Sequence, residues 1–309
     1  LLKDILVPAR IPAVIVSSLA LEEGPAVLSA LEAGAVDYVQ KPTLSDFDGI
    51  RETLLEKLKA AASAKVQLPP PQGLGLNVSN PVTERIRKKF GIANSGKALP
   101  AGHDLRGKFH NQLIAIGAST GGTEAIRQIL EGLPEDIPPI VIVQHIPGGF
   151  SRAFADRLNA TMPFAVREAR DGDIIEAGTV LIAPGGYQMR VIKEEGRFLC
   201  RVEDTPPVNR HKPSVDVLFD SVAQLKHVQR LALILTGMGV DGAAGLLRLK
   251  ESGAYTVAQD EATSIVFGMP KEAARLNAAL RIAPLNVMSG LILQWSSDQS
   301  EKTSKKNAA

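Results

Sequence analysis

The sequence holds one cysteine, Cys200. That excludes an internal disulfide framework and any multi-cysteine metal site. No apolar run approaches the roughly 20 residues that a membrane-spanning helix needs. Charge of one sign is also missing: 35 Lys and Arg stand against 33 Asp and Glu, a net +2. Such a balance gives no pull toward nucleic acid or a membrane surface, so neither partner is expected. The chain opens on Leu1, and Lys3, Asp4 and Arg10 interrupt its first apolar residues. This is not a signal peptide; it reads as a chain whose beginning has been cut off. A cytoplasmic setting is the expectation. The rest, 45% hydrophobic and 22% charged over 309 residues, has the composition of an ordinary globular protein. Its length suggests about two domains.

One stretch organises the chain. The apolar run Leu113 to Ile116 breaks into Gly117-Ala-Ser-Thr-Gly-Gly122. Ile126, Ile129, Leu130 and Leu133 then recur at the spacing of one helix face. Ser119 therefore sits on a tight strand-to-helix turn, beside the unpaired N–H groups of a helix start. There it can act as a nucleophile. The plain alternative is a turn or helix-capping residue.

From residue 110 the pattern is regular. Strands are expected at 112–116, 140–144, 165–168, 180–183, 189–192, 198–202, 231–235, 255–258 and 282–283. Helices are expected at 123–131, 151–159, 215–226, 243–252, 271–276 and 287–294. Ile140-Val-Ile-Val143 and Leu231-Ala-Leu-Ile-Leu235 are near-continuous apolar runs, as in strands buried on both faces of a parallel sheet. The alternation predicts an α/β, doubly wound, mostly parallel, Rossmann-like domain over 110–296. Residues 164–204 have strands without long helices and are expected to form an antiparallel hairpin addition. Residues 297–309 are polar and are expected to be disordered. Residues 67–109, opening on Pro69-Pro-Pro71 and rich in glycine and asparagine, read as an interdomain linker. A short basic helix at 83–90 reads as a solvated face of that linker.

Residues 1–66 alternate helix and strand. Ser17 ends one strand and Lys41-Pro42 ends the next. With that spacing the segment resembles the second half of a flavodoxin-like response-regulator receiver domain. The resemblance implies that Ser17 and Lys41 contact a phosphoryl group. The phospho-accepting Asp and the acidic residues that hold Mg²⁺ belong to the first half of that fold and are absent from this chain. Asp4 and Asp37 are not placed to replace them. The alternative is a purely structural αβα piece.

A nucleophilic serine needs a base, and the base needs an orienting acid. In open α/β sheets such groups lie in loops at the carboxyl ends of strands. His145 follows the strand ending at Gln144, and Asp241 lies in Thr236-Gly-Met-Gly-Val-Asp241 after the strand ending at Leu235. His211, in Asn209-Arg-His-Lys-Pro213, is a rival base, and Asp241 has a simpler role open to it as a helix cap. A dinucleotide site competes for the glycine-rich turn. It requires Gly where Ser119 stands and an acid after the second strand, where Gln144-His145 stands instead.

Six runs carry a closer resemblance: Gly117-Ala-Ser-Thr-Gly-Gly122, Val143-Gln-His-Ile-Pro147, Arg210-His-Lys-Pro-Ser-Val-Asp-Val-Leu218, Leu235-Thr-Gly-Met-Gly-Val-Asp-Gly242, and Gln259-Asp-Glu-Ala-Thr-Ser264 with Gly268-Met-Pro-Lys-Glu272. Residues 110 to about 295 resemble the catalytic domain of the chemotaxis protein-glutamate methylesterases. The resemblance implies Ser119 as nucleophile, His145 as base and Asp241 as orienting acid, with backbone support for an oxyanion from Met238 and Thr120. It implies hydrolysis of glutamate methyl esters on methyl-accepting chemotaxis receptors, and deamidation of receptor glutamines. It further implies a histidine kinase as partner of a complete receiver that covers the catalytic face until phosphorylated. No cofactor is implied for catalysis; Mg²⁺ would serve receiver phosphorylation only. The competing function is a nucleotide- or ligand-binding α/β module without hydrolysis.

Overall fold

The computed structural model describes residues 11–18, 24–41, 47–64, 109 and 111–307. The expected helix end at 1–6 and the linker with its basic helix at 83–90 lie outside the described residues. The N-terminal segment has β1 (Val14–Ser17), α1 (Gly24–Glu32), β2 (Asp37–Gln40) and α2 (Phe47–Ser63). β1 and β2 pair in parallel, Ser17 opposite Gln40.

The larger unit runs β3 (Gln112–Ala118), α3 (Gly122–Glu131), β4 (Ile140–Gln144), α4 (Phe150–Thr161), β5 (Ala165–Glu168), β6 (Ile174–Ile175) and β7 (Thr179–Ile182). It continues through β8 (Gln188–Glu194), β9 (Arg197–Glu203), α5 (Val215–Ala223), β10 (Gln229–Ile234), α6 (Ala243–Glu251), β11 (Tyr255–Gln259), α7 (Met269–Arg275), β12 (Arg281–Ala283) and α8 (Met288–Asn307). Seven strands form one parallel sheet in the order β12-β11-β10-β3-β4-β7-β5.

The apolar runs end up buried on both sides. Ile114, Ile116, Ile140, Ile142, Leu231 and Leu233 pack one face against Ile126 and Ile129 of α3, Phe154 of α4 and Trp295 of α8. Leu113, Ala115, Val141, Val143, Ala232 and Ile234 pack the other against Leu218 and Val222 of α5 and Leu246 of α6. Each side chain alternates sides along its strand, and each helix offers an apolar stripe.

Two expectations are corrected. β5 and β7 join the parallel sheet rather than the antiparallel addition, which is a separate three-stranded sheet of β6, β9 and β8. β7 is drawn in because Val180, Leu181 and Ile182 are wholly buried and pair with β4. The short β6 was not anticipated; two residues carry no readable period. The tail expected to be disordered from 297 continues α8 to Asn307. Trp295 and Ser296 are buried, and Ser296 donates to Gln112 Oε1 at 2.8 Å, so the last ordered turns have an anchor on β3. Gln, Glu and Lys then extend the helix by propensity.

The turn after β3 depends on close packing. A methyl group on Gly117 would lie 2.2 Å from Val215 Cγ1. Gly117→Ala is expected to destabilise the fold by about 1–3 kcal/mol through overpacking. Adding Val215→Ala should recover part of that loss. Urea denaturation midpoints check both, and a double variant no more stable than the single one would contradict the packing argument.

Candidate active site

β3 sits at the reversal of strand order, with β10 on one side and β4 on the other. Loops at the carboxyl ends of strands beside such a reversal are where open α/β sheets form sites. Ser119 follows β3, His145 follows β4 and Asp241 lies in the loop after β10. The three expected residues therefore come from three adjacent strands.

Ser119 is fixed by its backbone. Its N–H donates to Thr236 O at 3.0 Å, and its carbonyl accepts from Gly122 N at 2.7 Å and Gln144 Nε2 at 2.9 Å. Gly237 is needed beside it, since a methyl group there would stand 2.6 Å from Ser119 Cβ. The N–H groups of Thr120 and Met238 make no hydrogen bond among the described residues. Thr120 directly follows Ser119, and Met238 directly follows Gly237, which packs against Ser119.

His145 Nε2 lies 2.8 Å from Asp241 Oδ2. His145 Nδ1 is buried and has no partner among the described residues. No hydrogen bond joins it to Ser119 Oγ. With Nε2 protonated toward the carboxylate, Nδ1 carries the free lone pair.

Asp241 is 1% exposed and is the most heavily bonded side chain of the site. Oδ1 accepts from Ser214 Oγ at 2.7 Å and Asn209 Nδ2 at 2.8 Å, and Oδ2 from Val215 N at 2.6 Å. Burial acts to raise its pKa, but the bonds from His145, Asn209 and Ser214 outweigh it and hold the carboxyl well below the usual range. Asp241 is thus an anion in contact with His145, not a cap of α6. Gly242 holds the cap position, with φ 85°.

Asp216 is the second buried carboxylate nearby. It accepts from Gly245 N at 2.5 Å and Asn209 Nδ2 at 2.6 Å. Burial is the largest influence on it, and with the Asp241 charge it leaves the Asp216 pKa raised despite those bonds. Asn209, Ser214 and Asp216 were missed by reasoning from strand ends, because they come from the loop and helix start after β9. The signal was the polar density of the run around Pro213, which a search of strand ends does not sample.

His211 is not joined to Asp241 by a hydrogen bond. Its ring stacks on His145, centroids 3.6 Å apart and planes 12° from parallel. Burial pushes its pKa down to about 3; His145, Lys57 and Arg210 act the same way and Asp241 opposes them. The rival base is therefore a neutral ring packed against the other histidine.

The N-terminal segment meets this face. Asp37 accepts from the Thr120 hydroxyl and, at 2.9 Å, from Lys57 Nζ. Tyr38 stacks on Phe150 at 5.1 Å, and Arg157 pairs with Glu32. Arg210 pairs with Glu56 at 3.2 Å and Glu52 at 3.7 Å. A cavity of about 670 Å³ remains between α1, α3 and α4, edged by Gly121 and Thr236. Ser17 and Lys41 come together at the ends of β1 and β2, with Lys41 N donating to Ser17 O at 2.7 Å. Among the described residues no cluster of three or more His, Cys, Asp or Glu is arranged to hold a metal ion. Nor is any described helix long and apolar enough to cross a membrane.

The fold and site define an α/β protein with a Ser, His and Asp set at the ends of neighbouring parallel strands. The family model for CheB methylesterase matches residues 114–292. A protein-glutamate methylesterase/protein-glutamine glutaminase from Hahella chejuensis is 46% identical over 286 residues, covering 92% of this chain and 76% of that protein. One from Bordetella bronchiseptica is 44% identical, covering 94% and 78%. The solved CheB methylesterase catalytic domain of Thermotoga maritima is 35% identical, with a TM-score of 0.57, covering 59% of this chain and 97% of that one. This chain belongs to the CheB methylesterase family.

The state of His211 sets a pH dependence. Its folded pKa of about 3 lies below the ordinary 6.5. Between those values the unfolded chain binds the extra proton, so stability rises with pH and is lost as pH falls from 6.5 toward 3. His211→Gln is expected to flatten the stability curve over that window. An unchanged slope in denaturation midpoints would contradict the neutral, buried assignment.

Proposed function

We propose that this chain is a serine hydrolase acting on glutamate methyl esters of chemotaxis receptors, releasing methanol, and also on receptor glutamines, releasing ammonia. The observation that carries this reading is the arrangement of β10, β3 and β4 side by side, with His145 held at 2.8 Å by Asp241 beside the Ser119 turn. The names of the relatives support the same chemistry.

Ser119 is the nucleophile. When substrate binds, its hydroxyl turns to His145 Nδ1; catalytic bonds of this kind are often unformed in empty sites. Nδ1 takes the proton as Oγ attacks the ester carbonyl. Asp241, already anionic, stabilises the imidazolium through Nε2–H. The carbonyl oxygen gains a full charge and meets the N–H groups of Met238 and Thr120. Each such donor is worth about 3–4 kcal/mol in the transition state. The imidazolium returns its proton to the methoxide, methanol leaves, and water attacks the acyl-enzyme by the same route. Glutamine follows the same steps with ammonia as the leaving group. Every step uses the protein's own groups.

The reading extends to organisation. Residues 1–66 are the second half of a receiver, 67–109 the linker and 110–296 the catalytic unit. Ser17 and Lys41 are the phosphate-sensing pair of the complete receiver, which a chemotaxis histidine kinase addresses. Mg²⁺ serves that phosphorylation alone. The enzyme works in the cytoplasm. The nucleotide-binding alternative lacks support: no observation favours it.

Ser119→Ala is expected to remove methanol release from methylated receptor by roughly 10⁴-fold or more, with the fold intact. His145→Ala should cost nearly as much, and His211→Gln far less. Methanol release measured on the three variants checks this; the reverse ranking of the histidines would assign the base to His211.

A further inference from the structure

The turn that carries Arg210 has an unexplained cost. Val208 and His211 exchange backbone hydrogen bonds, His211 N to Val208 O at 2.8 Å and Val208 N to His211 O at 3.0 Å. Asn209 and Arg210 are the two residues between them, with φ of 51° and 67°. Turns with positive φ at both central positions strongly favour Asn followed by Gly, because glycine has no Cβ to strain there. Asn209 fits, and its side chain reaches inward to Asp241 and Asp216. Arg210 takes the glycine position. Its side chain is 76% exposed and serves no buried contact. Folding alone gives no reason to keep an arginine there. Strained residues that persist do so most often at working sites.

Its partner lies on α2. α2 presents Glu52 and Glu56, one helical turn apart, and both carboxylates approach Arg210 Nη1, at 3.7 and 3.2 Å. All three side chains are largely exposed. The guanidinium is therefore seated against an acidic helix face at the edge of the site, on the same turn as His211, which stacks on His145. The neighbouring cations are paired elsewhere and leave these glutamates to Arg210: Lys212 pairs with Asp204, and Lys57 with Asp37.

We propose that Arg210 is a substrate-docking residue, which reads an acidic helical segment of the protein substrate through carboxylates one turn apart, and that Glu52 and Glu56 of α2 occupy this same subsite. This rests on the methylesterase reading and adds the recognition element of its substrate. A helix bearing the target glutamyl group at the site would lay a neighbouring turn on Arg210. Arginine suits the task, since its planar fork engages carboxylates in pairs.

The test uses the full chain and two helical peptides. Each carries one glutamate methyl ester; one has glutamates a turn away on the same face, and the other has glutamines there. KM, kcat and direct binding by fluorescence anisotropy are measured for both. The unmodified chain should favour the acidic peptide by about fivefold in KM, a rim-charge effect that shrinks with added salt. Arg210→Gly should erase the preference with kcat for the neutral peptide kept, while the unfolding midpoint stays or rises because the turn is relieved. Arg210→Lys should restore part of the preference. Glu52→Gln with Glu56→Gln should tighten binding of the acidic peptide. Equal KM for the two peptides on the unmodified chain, or a preference that survives in Arg210→Gly, overturns the proposal. So does acidic-peptide binding left unchanged by the double glutamine change. Binding of the acidic peptide through Arg210 without any ester cleavage would leave the docking subsite standing and sink the methylesterase reading instead.

Discussion

The Asp241 carboxylate is the constraint on which the site depends. It is buried, charged and bonded on both oxygens. An unpaired charge in that position would cost several kcal/mol, so its partners are needed for folding as well as chemistry. Those partners tie together parts far apart in sequence: His145 after β4, Asn209 and Ser214 from the loop after β9, and the first N–H of α5 at Val215. The same Val215 packs against the spaces left by Gly117 and Gly242. A single carboxylate therefore fixes the orientation of one histidine ring and the seat of α5 against the Ser119 strand. Asp241 thereby satisfies N–H groups at the start of α5 rather than of α6.

The two histidines divide the work by environment. His145 has an anion on one nitrogen and an open lone pair on the other. His211 lies flat on it, buried and neutral. Two stacked rings cannot both hold a charge cheaply. The low pKa of His211 keeps its ring uncharged beside the ring bonded to Asp241, as the proposed mechanism requires. The arrangement around Asp37 and Thr120 brings the N-terminal segment to the neighbour of Ser119 itself.

Much of this was legible in the sequence. The runs at 113–116, 140–143 and 231–235 gave β3, β4 and β10 nearly to the residue, because continuous apolar stretches have one home in a parallel sheet. Ser119, His145 and Asp241 followed from looking at what comes after each. Strand order was not legible: periodicity says which face of a strand is buried, never which strand lies beside it. Asn209, Ser214 and Asp216 were hidden because their work depends on a loop folding back over Asp241. The end of α8 was misread since Ser296 and Trp295 look polar or isolated until Gln112 and the core of β3 receive them. One contact that a nucleophile and its base would share, Ser119 Oγ to His145, is not formed. The resemblance, more than spacing, ranked His145 over His211; it is the His145 ring that lies 2.8 Å from Asp241.

In the proposed reaction Asp241 and His145 make Ser119 a nucleophile. The most direct measurement is the rate and position of covalent labelling by a serine-reactive phosphonate, read by intact mass and peptide mapping, in the unmodified chain and in Asp241→Asn. One adduct is expected, on Ser119, forming orders of magnitude more slowly in the variant. A label on another residue, or an unchanged rate in Asp241→Asn, would contradict it.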